Sequence, residues 1–402
     1  MKRRDFFKTA AVTAGAAALG TDVLKAGQTH RPIDNRRVSN VAFPEKRPLI
    51  TFSDRPPLLE TPREYFTSAL TPNDVFFVRW HMPDIPTHID EKSFTITVKG
   101  MVKKELRITL EELKNDFEQV EVAAVLQCGG NSRSAFTPTA GGIQWGNGAM
   151  GCALWKGVRL RDILDRAGLK EGAQWLALQG SEKAAYYETP DFIRELHLDE
   201  LDDHVIVAYQ MNGEDLPYLN GFPVRLVIPG AYADSWIKML SSITVTDTYK
   251  KLFFMEHAYV VPDNACECEE PGKPYPKTKP IWRMNVKSLI GYPTNGATLT
   301  LKSHTVVRGV AFDGGAGIKE VHISIDDGKT WHKAQLDEGK LGRYAYRTFR
   351  YTFKPEKLGK MRIMAKAINK LGEEQPMPSH IKWNHGGYKY NGIDAVTVEV
   401  VS

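Results

Sequence analysis

The first two thirds of the chain alternate short apolar runs with amphipathic segments. Val122 to Leu126 is a continuous apolar run of strand length that ends two residues before Cys128. Val205 to Tyr209 and Val224 to Ile228 show the same pattern, which is typical of buried strands. Shorter strands are predicted at Val75 to Trp80 and at Phe94 to Lys99.

Three short segments have the period of a helix. Thr109 and Glu112 stand at the spacing of a capping box, which predicts a helix start. Leu160 to Gly168 has apolar residues on one helical face and a glycine where a helix would end. A Thr-Pro pair at 189–190 predicts a third helix, whose buried side would comprise Phe192, Ile193 and Leu196.

The pattern changes beyond about residue 285 to short strands separated by turns. Asp327-Gly328 predicts a hairpin because this pair tolerates positive φ angles. Strands at this spacing are typical of an immunoglobulin-like β-sandwich. The predicted fold class is therefore α+β, a mixed α/β domain followed by a sandwich. The predicted sandwich strands include Thr298 to Leu301, Val306 to Phe312, Val321 to Ile325, Tyr344 to Phe353, Met361 to Ile368 and Val396 to Val400.

The N-terminus has the pattern of an export signal. Arg3 and Arg4 precede an apolar stretch from Thr9 to Gly20, which is too short to span a bilayer. We therefore expect export by the twin-arginine route to the periplasm, with no stable membrane insertion. The predicted parts are a signal (1–26), a proline-rich extended arm over the surface (27–70), a mixed α/β domain (71–265), a linker (266–284) and the sandwich (285–402).

Composition and charge exclude several classes of protein. The 402 residues are 42% hydrophobic and 25% charged, as in ordinary globular proteins. The net charge is +5, and residues 1–26 hold five basic and two acidic residues, which leaves +2 for the rest. Because the basic residues are interspersed with acidic ones, nucleic-acid binding is not expected.

The four cysteines are too few for a disulfide framework in a chain of this length. No C-x-x-C-H motif occurs, so we expect no haem on this chain. Cys152 suits core packing. Cys266 and Cys268 suit a surface loop in which one thiol bonds to Cys152 or to a partner, while a metal clip is the weaker alternative.

Cys128 is the residue around which a reactive site is predicted. It follows a buried strand and precedes Gly129 and Gly130, which allow the backbone to pass close to a bulky group. A thiol there, near Arg133, would be held deprotonated and could bind a soft metal. The spacing alone leaves a second interpretation open, a buried free cysteine before an ordinary glycine turn.

The sequence Cys-Gly-Gly-Asn-Ser-Arg, from Cys128 to Arg133, resembles the molybdenum-ligand loop of the sulfite oxidase family. Further segments resemble the same family and follow in the same order. They are Val78 to His81, Gly221 to Arg225 with Pro229-Gly230 and Trp236 to Lys238, Phe253 to Tyr259, and the hairpin Ser324 to Trp331.

The resemblance implies a molybdenum–molybdopterin cofactor with Cys128 as the metal ligand. It implies that Arg79 and Arg133 bind the substrate anion, that His81 donates to substrate or pterin, and that Tyr259 donates beside the metal. Trp145 is expected either to wall this pocket or to pack in the core, and Lys319 aligns only loosely with a sandwich-domain cation of the family. The implied cofactor-binding residues are Phe77, Val78, Arg79, Trp80, His81, Asn220, Arg225, Trp236, Ile237 and Lys238, with Asn220 standing where relatives often have histidine.

The function that the resemblance implies is oxidation of sulfite to sulfate, with electrons passed to a separate c-type cytochrome. The expected assembly is a homodimer or a heterodimer with a cytochrome subunit. The stronger alternative is a sulfane dehydrogenase component of a thiosulfate-oxidising complex, and a sulfoxide reductase is disfavoured because such enzymes usually lack the sandwich. A cofactor-free exported interaction protein is the non-enzymatic alternative.

Overall fold

The computed structural model describes residues 42–43 and 45–402. The predicted signal and most of the predicted arm lie outside these residues. Three α-helices are present within the described ranges: α1 (Leu110–Asn115), α2 (Leu160–Ala167) and α3 (Phe253–Glu256). Among the described residues, no helix has both the length and the apolar character needed to cross a membrane.

The strands of the first part of the chain form three sheets and a short ribbon. Their bounds are β1 (Ile50–Asp54), β2 (Pro57–Glu60), β3 (Val78–Arg79), β4 (Thr95–Gly100), β5 (Leu106–Thr109), β6 (Gln119–Gln127), β7 (Met150–Arg159), β8 (Trp175–Gly180), β9 (Ile193–His197), β10 (Ile206–Met211), β11 (Glu214–Asp215), β12 (Arg225–Val227), β13 (Leu240–Thr246), β14 (Val260–Pro262) and β15 (Thr278–Pro280).

The two larger sheets of this part have five strands each. One has the order β11-β10-β7-β6, with β12 also paired to β10, and the other has the order β5-β4-β13-β8-β9. The apolar runs of β6 and β10 lie in the centre of the core because both faces of these strands are covered. The chemistry predicted at Cys128 therefore sits at the end of a rigid, buried strand.

The second part is the predicted β-sandwich. Its strands are β16 (Lys287–Tyr292), β17 (Thr298–Thr300), β18 (Thr305–Phe312), β19 (Ile318–Ser324), β20 (His332–Lys333), β21 (Gln335–Leu336), β22 (Arg347–Phe353), β23 (Gly359–Asn369) and β24 (Asp394–Val401). They form two sheets, with the orders β16-β18-β22-β21 and β17-β24-β23-β19-β20. The hairpin prediction is confirmed, since β19 pairs with β20 and Asp327 and Gly328 have φ angles of 61° and 82°.

The predicted helix after Thr189-Pro190 is wrong. Ile193–His197 is strand β9, which pairs antiparallel with β8. The apolar spacing resembled a helix, but Arg194 and Glu195 are buried too. The segment therefore has no polar outer face of the kind that an amphipathic surface helix presents.

Residues 50–60 differ from the expected surface arm. β1 and β2 form an antiparallel hairpin, and β2 also pairs with β3 through Leu58 and Arg79. All four residues of β2 are buried. This stretch is therefore a structural part of the first domain, and it fixes the backbone of Arg79.

The capping box at α1 generates a test of the local fold. Thr109 Oγ1 accepts a hydrogen bond from Glu112 N at 3.1 Å, and Glu112 Oε2 accepts one from Thr109 N at 2.8 Å. We expect Thr109→Ala to lower the free energy of unfolding by about 1 kcal/mol, whereas Thr109→Ser retains the hydroxyl and most of the stability. Urea denaturation of both variants measures this, and equal loss in both would contradict a role for the cap.

Candidate active site

Cys128 lies in a loop whose backbone is held by its own hydrogen bonds. Its side chain is buried at the end of β6, and its backbone N donates to Ala149 O at 2.9 Å. Asn131 Oδ1 accepts from Ala149 N at 3.1 Å, and Ser132 has a φ of 67°. The loop therefore has a defined shape that fixes the position of the thiol.

The two glycines after Cys128 pack closely against two side chains. A Cβ atom on Gly129 would lie 2.3 Å from Ile281 Cδ1, and one on Gly130 would lie 2.4 Å from Arg133 Nη2. Both distances are shorter than contact between carbon or nitrogen atoms allows. The small residues thus bring the loop against Arg133 and the segment at Ile281.

A small cavity opens beside Cys128, which follows the end of β6. Three of its lining side chains carry a guanidinium or ammonium group, and one carries a carboxylate. The lining residues are Phe77, Arg79, His81, Leu126, Cys128, Leu219, Asn220, Arg225, Ala233, Asp234, Lys238 and Tyr259.

Arg79 and His81 present buried polar atoms to this cavity. Arg79 Nη1 and both ring nitrogens of His81 have no hydrogen-bond partner among the described residues. The His81 ring stacks on Phe192 at a centroid distance of 3.5 Å. Burial, followed by the nearby charge of Arg79, holds the pKa of His81 well below its usual range, so this imidazole is neutral.

The imidazole is held by its backbone as well as by stacking. Glu182 Oε2 accepts hydrogen bonds from the backbone N of His81 at 3.2 Å and of Met82 at 2.9 Å. Because buried polar atoms are almost always paired in folded proteins, the unpaired nitrogens of Arg79 and His81 indicate a polar or anionic ligand.

Arg225 and Lys238 supply further buried positive charge. Arg225 Nη1 donates to Asn220 O at 2.8 Å, while its Nε has no partner among the described residues. Lys238 Nζ lies 4.5 Å from the centroid of the Trp80 ring and 3.9 Å from Glu182 Oε1. Burial lowers the pKa of Arg225 to about 9 and that of Lys238 to about 8, and an anion in the cavity would oppose both shifts.

Tyr259 is a buried hydrogen-bond donor on the cavity wall. It has a φ of 58°, and its backbone N donates to Tyr388 Oη at 3.3 Å. The guanidinium carbons of Arg79 and Arg194 lie 5.9 Å and 5.7 Å from the centroid of its ring. Burial raises the pKa of its phenol well above the usual range, so the hydroxyl keeps its proton.

Arg133 differs from its predicted place beside the substrate, because it is absent from the lining of this cavity. Its Nε donates to Gly386 O and its Nη1 to Ile143 O, both at 2.9 Å, and its guanidinium lies over the Tyr388 ring. In this structure Arg133 ties the cysteine loop to the sandwich domain.

The other predicted residues fall into two groups. Phe77 and Asn220 line the cavity with Arg79, His81, Arg225 and Lys238. Trp145 is fully buried, with its ring centroid 4.8 Å from that of Phe52, as the core-packing alternative expects. The predicted residues that are buried in the core without lining the cavity are Val78, Trp80, Trp236 and Ile237.

An ion pair at the cavity wall was not predicted from the sequence. Asp234 lines the cavity, and its Oδ2 lies 2.7 Å from Arg194 Nη2, with both side chains about 1% exposed. Burial raises the pKa of Asp234 to about 6. The available signal was the acidic residue inside the apolar segment between Gly230 and Trp236.

The sandwich domain also reaches the site, through a segment that carried no recognised motif. Tyr388 contacts Tyr259 with a ring-centroid distance of 5.6 Å, and Lys389 N donates to Gly129 O at 2.9 Å. Lys287 is buried and its Nζ donates to Ser132 Oγ at 2.6 Å. The sandwich therefore helps to fix the cysteine loop.

The pairing of the remaining cysteines differs from the prediction. Cys266 and Cys268 form a disulfide with each other, and Cys152 is a free buried thiol. The predicted bond between Cys152 and one of the loop cysteines is therefore wrong. The adjacent loop residues Glu267 and Glu269 form ion pairs with Lys389 and His385.

Comparison with known proteins identifies the family. A model described as "Oxidoreductase molybdopterin binding domain" matches residues 81–254, and one described as "Mo-co oxidoreductase dimerisation domain" matches residues 278–400. The chain is 31% identical to the sulfite oxidase of Gallus gallus over 350 residues, which cover 83% of this chain and 74% of that protein.

Other relatives are longer than this chain. It is 30% identical to the mitochondrial sulfite oxidase of Homo sapiens, covering 87% of this chain and 65% of that protein. It is 31% identical to an NADH nitrate reductase of Spinacia oleracea, covering 76% of this chain and 34% of that protein. The chain thus spans only part of the length of these two relatives.

Among solved structures, the sulfane dehydrogenase SoxCD from Paracoccus pantotrophus matches with a TM-score of 0.73 and 23% identity, covering 94% of this chain and 97% of that chain. This likeness shows the shared fold. The chain belongs to the sulfite oxidase family of molybdopterin oxidoreductases, which confirms the family and the fold class inferred from the cysteine loop and the sandwich pattern.

A buried carboxyl that bonds to the segment next to the cysteine loop predicts a pH dependence of stability. Glu60 accepts hydrogen bonds from Gly146 N at 2.7 Å and Gly148 N at 3.0 Å, and burial raises its pKa from 4.5 to about 7. The folded protein therefore keeps a proton that the unfolded chain releases between these pH values. The stability contributed by this group is lost as the pH rises through that window.

We expect Glu60→Gln to remove at most about 3 kcal/mol of the difference in unfolding free energy between pH 4.5 and pH 8. Urea denaturation at both pH values measures the difference, and Glu91→Gln, at an exposed position, is the control. An unchanged pH slope in the Glu60 variant would show that this carboxyl does not titrate differently on folding.

Proposed function

We propose that the protein oxidises sulfite to sulfate at a molybdenum–molybdopterin cofactor bound in the cavity beside Cys128. The observation that carries the proposal is the convergence of unpaired buried donors on Arg79 and His81 with a buried cysteine on the same cavity wall. Such a set of groups suits a cofactor with a phosphate and sulfur ligands, together with a small anionic substrate.

The cofactor would be held by residues of three chain segments. Arg225 and Lys238 suit its phosphate, because their charges are buried in the same cavity. Cys128 suits the metal, because its thiol is fixed at a strand end. When bound, this cofactor supplies two-electron transfer coupled to the addition of oxygen to the substrate.

The protein side chains bind the substrate and hold its protons. Arg79 supplies a permanent positive charge with a free donor atom, which attracts a sulfur oxyanion. Tyr259 keeps its phenolic proton and so can donate a hydrogen bond beside the reacting atoms. His81, being neutral, can donate from one ring nitrogen and accept at the other, without adding charge.

Substitution of Arg79 tests substrate binding. We expect Arg79→Met to raise the KM for sulfite by about 10- to 100-fold, because a buried charged hydrogen bond to the anion is lost. Steady-state kinetics measures this, with Arg107→Met, at an exposed strand position, as the control that should not change. The molybdenum content must match between variants, and an unchanged KM for sulfite would contradict the proposed role.

Steady-state assays also separate the candidate substrates. We expect turnover with free sulfite and little activity with protein-bound sulfane sulfur or with nitrate. The sulfane alternative would be favoured if sulfite were hardly oxidised, and nitrate reduction would replace the proposal if nitrate were the better substrate. A protein that lacks molybdenum after expression in a molybdenum-replete host would favour the cofactor-free interaction protein.

We further propose that a separate c-type cytochrome accepts the electrons in the periplasm, after export by the twin-arginine route. The proposed assembly is a dimer through the dimerisation domain or a complex with a cytochrome subunit. A weak, partly electrostatic encounter is expected to slow as salt screens the charges.

Turnover with a c-type cytochrome should therefore fall as the ionic strength rises, whereas turnover with a small uncharged acceptor should change little. Stopped-flow reduction of the cytochrome at several salt concentrations measures this. A rate that does not depend on salt would contradict electrostatic docking.

A further inference from the structure

The segment before β1 places a lysine against the cofactor cavity. Lys46 Nζ donates to Asn220 Oδ1 and to Asn73 O, both at 2.6 Å. Burial lowers the pKa of this amine to about 8, and Glu45 and Asp74 partly offset that effect. The ammonium group is thus removed from water and bonds to two acceptors. One of them, Asn220, lines the cavity.

Asn220 connects this lysine to the cofactor-binding set. The residue is 2% exposed, and its Nδ2 donates to Phe77 O at 3.1 Å. Its backbone O accepts from Arg225 Nη1 at 2.8 Å. Asn220 therefore joins three parts of the chain, namely the N-terminal segment at Lys46, the segment before β3 and the start of β12.

The neighbouring Arg47 shows that the contact of Lys46 is specific. Arg47 Nε pairs with Asp74 Oδ2 at 2.5 Å, but the two side chains are 55% and 38% exposed. An exposed pair of this kind contributes little to stability. Of these two adjacent basic residues, only Lys46 bonds to a side chain that lines the cavity.

We propose that Lys46 is a positioning residue of the cofactor site, which fixes Asn220 and through it the guanidinium of Arg225 that holds the anionic group of molybdopterin. The segment at Lys46 thereby supports the binding site through Asn220. This inference rests on the cofactor in the proposed function but is independent of the substrate.

The test measures cofactor retention in the full chain, purified after expression in a molybdenum-replete host. Pterin is measured by the fluorescence of its oxidation product and molybdenum by elemental analysis, at several times during dialysis. We expect Lys46→Met to lose pterin about tenfold faster than the parent protein, because partners behind the direct ligands typically affect affinity by that factor. Lys46→Arg should restore part of the retention, and Arg47→Ala should release pterin at the parent rate.

A double-variant comparison separates positioning from general destabilisation. If Lys46 acts through Asn220, Lys46→Met combined with Asn220→Ala should release pterin no faster than Asn220→Ala alone. Additive effects would overturn the proposal, as would parent-like retention in Lys46→Met. Should Lys46→Met fail to fold, the same two outcomes apply to Lys46→Gln. Pterin release is measured without substrate. The proposal for Lys46 can therefore fail while sulfite oxidation is observed, and the reverse.

Discussion

Buried positive charge without enough protein partners is the constraint on which the rest of this structure depends. Arg79, Arg225 and Lys238 all line one cavity, and Asp234, the carboxylate on its wall, is paired with Arg194. Removing such cations from water costs several kcal/mol each unless an opposite charge compensates. An anionic cofactor would supply that charge, so its binding would stabilise the folded protein.

The fold meets this constraint by bringing the cations together from rigid strand ends. Arg79 is fixed by the pairing of β3 with β2, and Arg225 begins β12. Lys238 is joined to Arg225 by a bridge between their backbones. The sandwich domain adds Lys287 and the segment at Tyr388, which form hydrogen bonds with the cysteine loop. The two domains are therefore both needed to fix the thiol.

The sequence was sufficient to predict those parts that local patterns determine. The buried strand before Cys128, the capping box at Thr109 and the hairpin at Asp327 are all present, because period, cap and turn residues act over a few positions. β9 was predicted as a helix from the Thr-Pro pair and the apolar spacing, and pairing with β8 overrode that local pattern. Domain boundaries and the site roles stay predictions.

Contacts between distant segments could not be predicted in the same way. The place of Arg133 depends on two carbonyl groups, one of which comes from the sandwich domain, and the contact between Lys46 and Asn220 spans 174 positions. No local sequence pattern links Arg133 to these carbonyl groups or Lys46 to Asn220. The arm was predicted to lie on the surface because its composition is rich in proline. That composition does not indicate which distant residues bury it.

We propose that Cys128 binds molybdenum, and X-ray absorption at the molybdenum edge tests this bond most directly. The parent protein should show one more sulfur neighbour of the metal than the Cys128→Ser variant, at equal pterin content. Identical sulfur shells in the two proteins would contradict the account, since the thiol would then lie outside the coordination sphere of the metal.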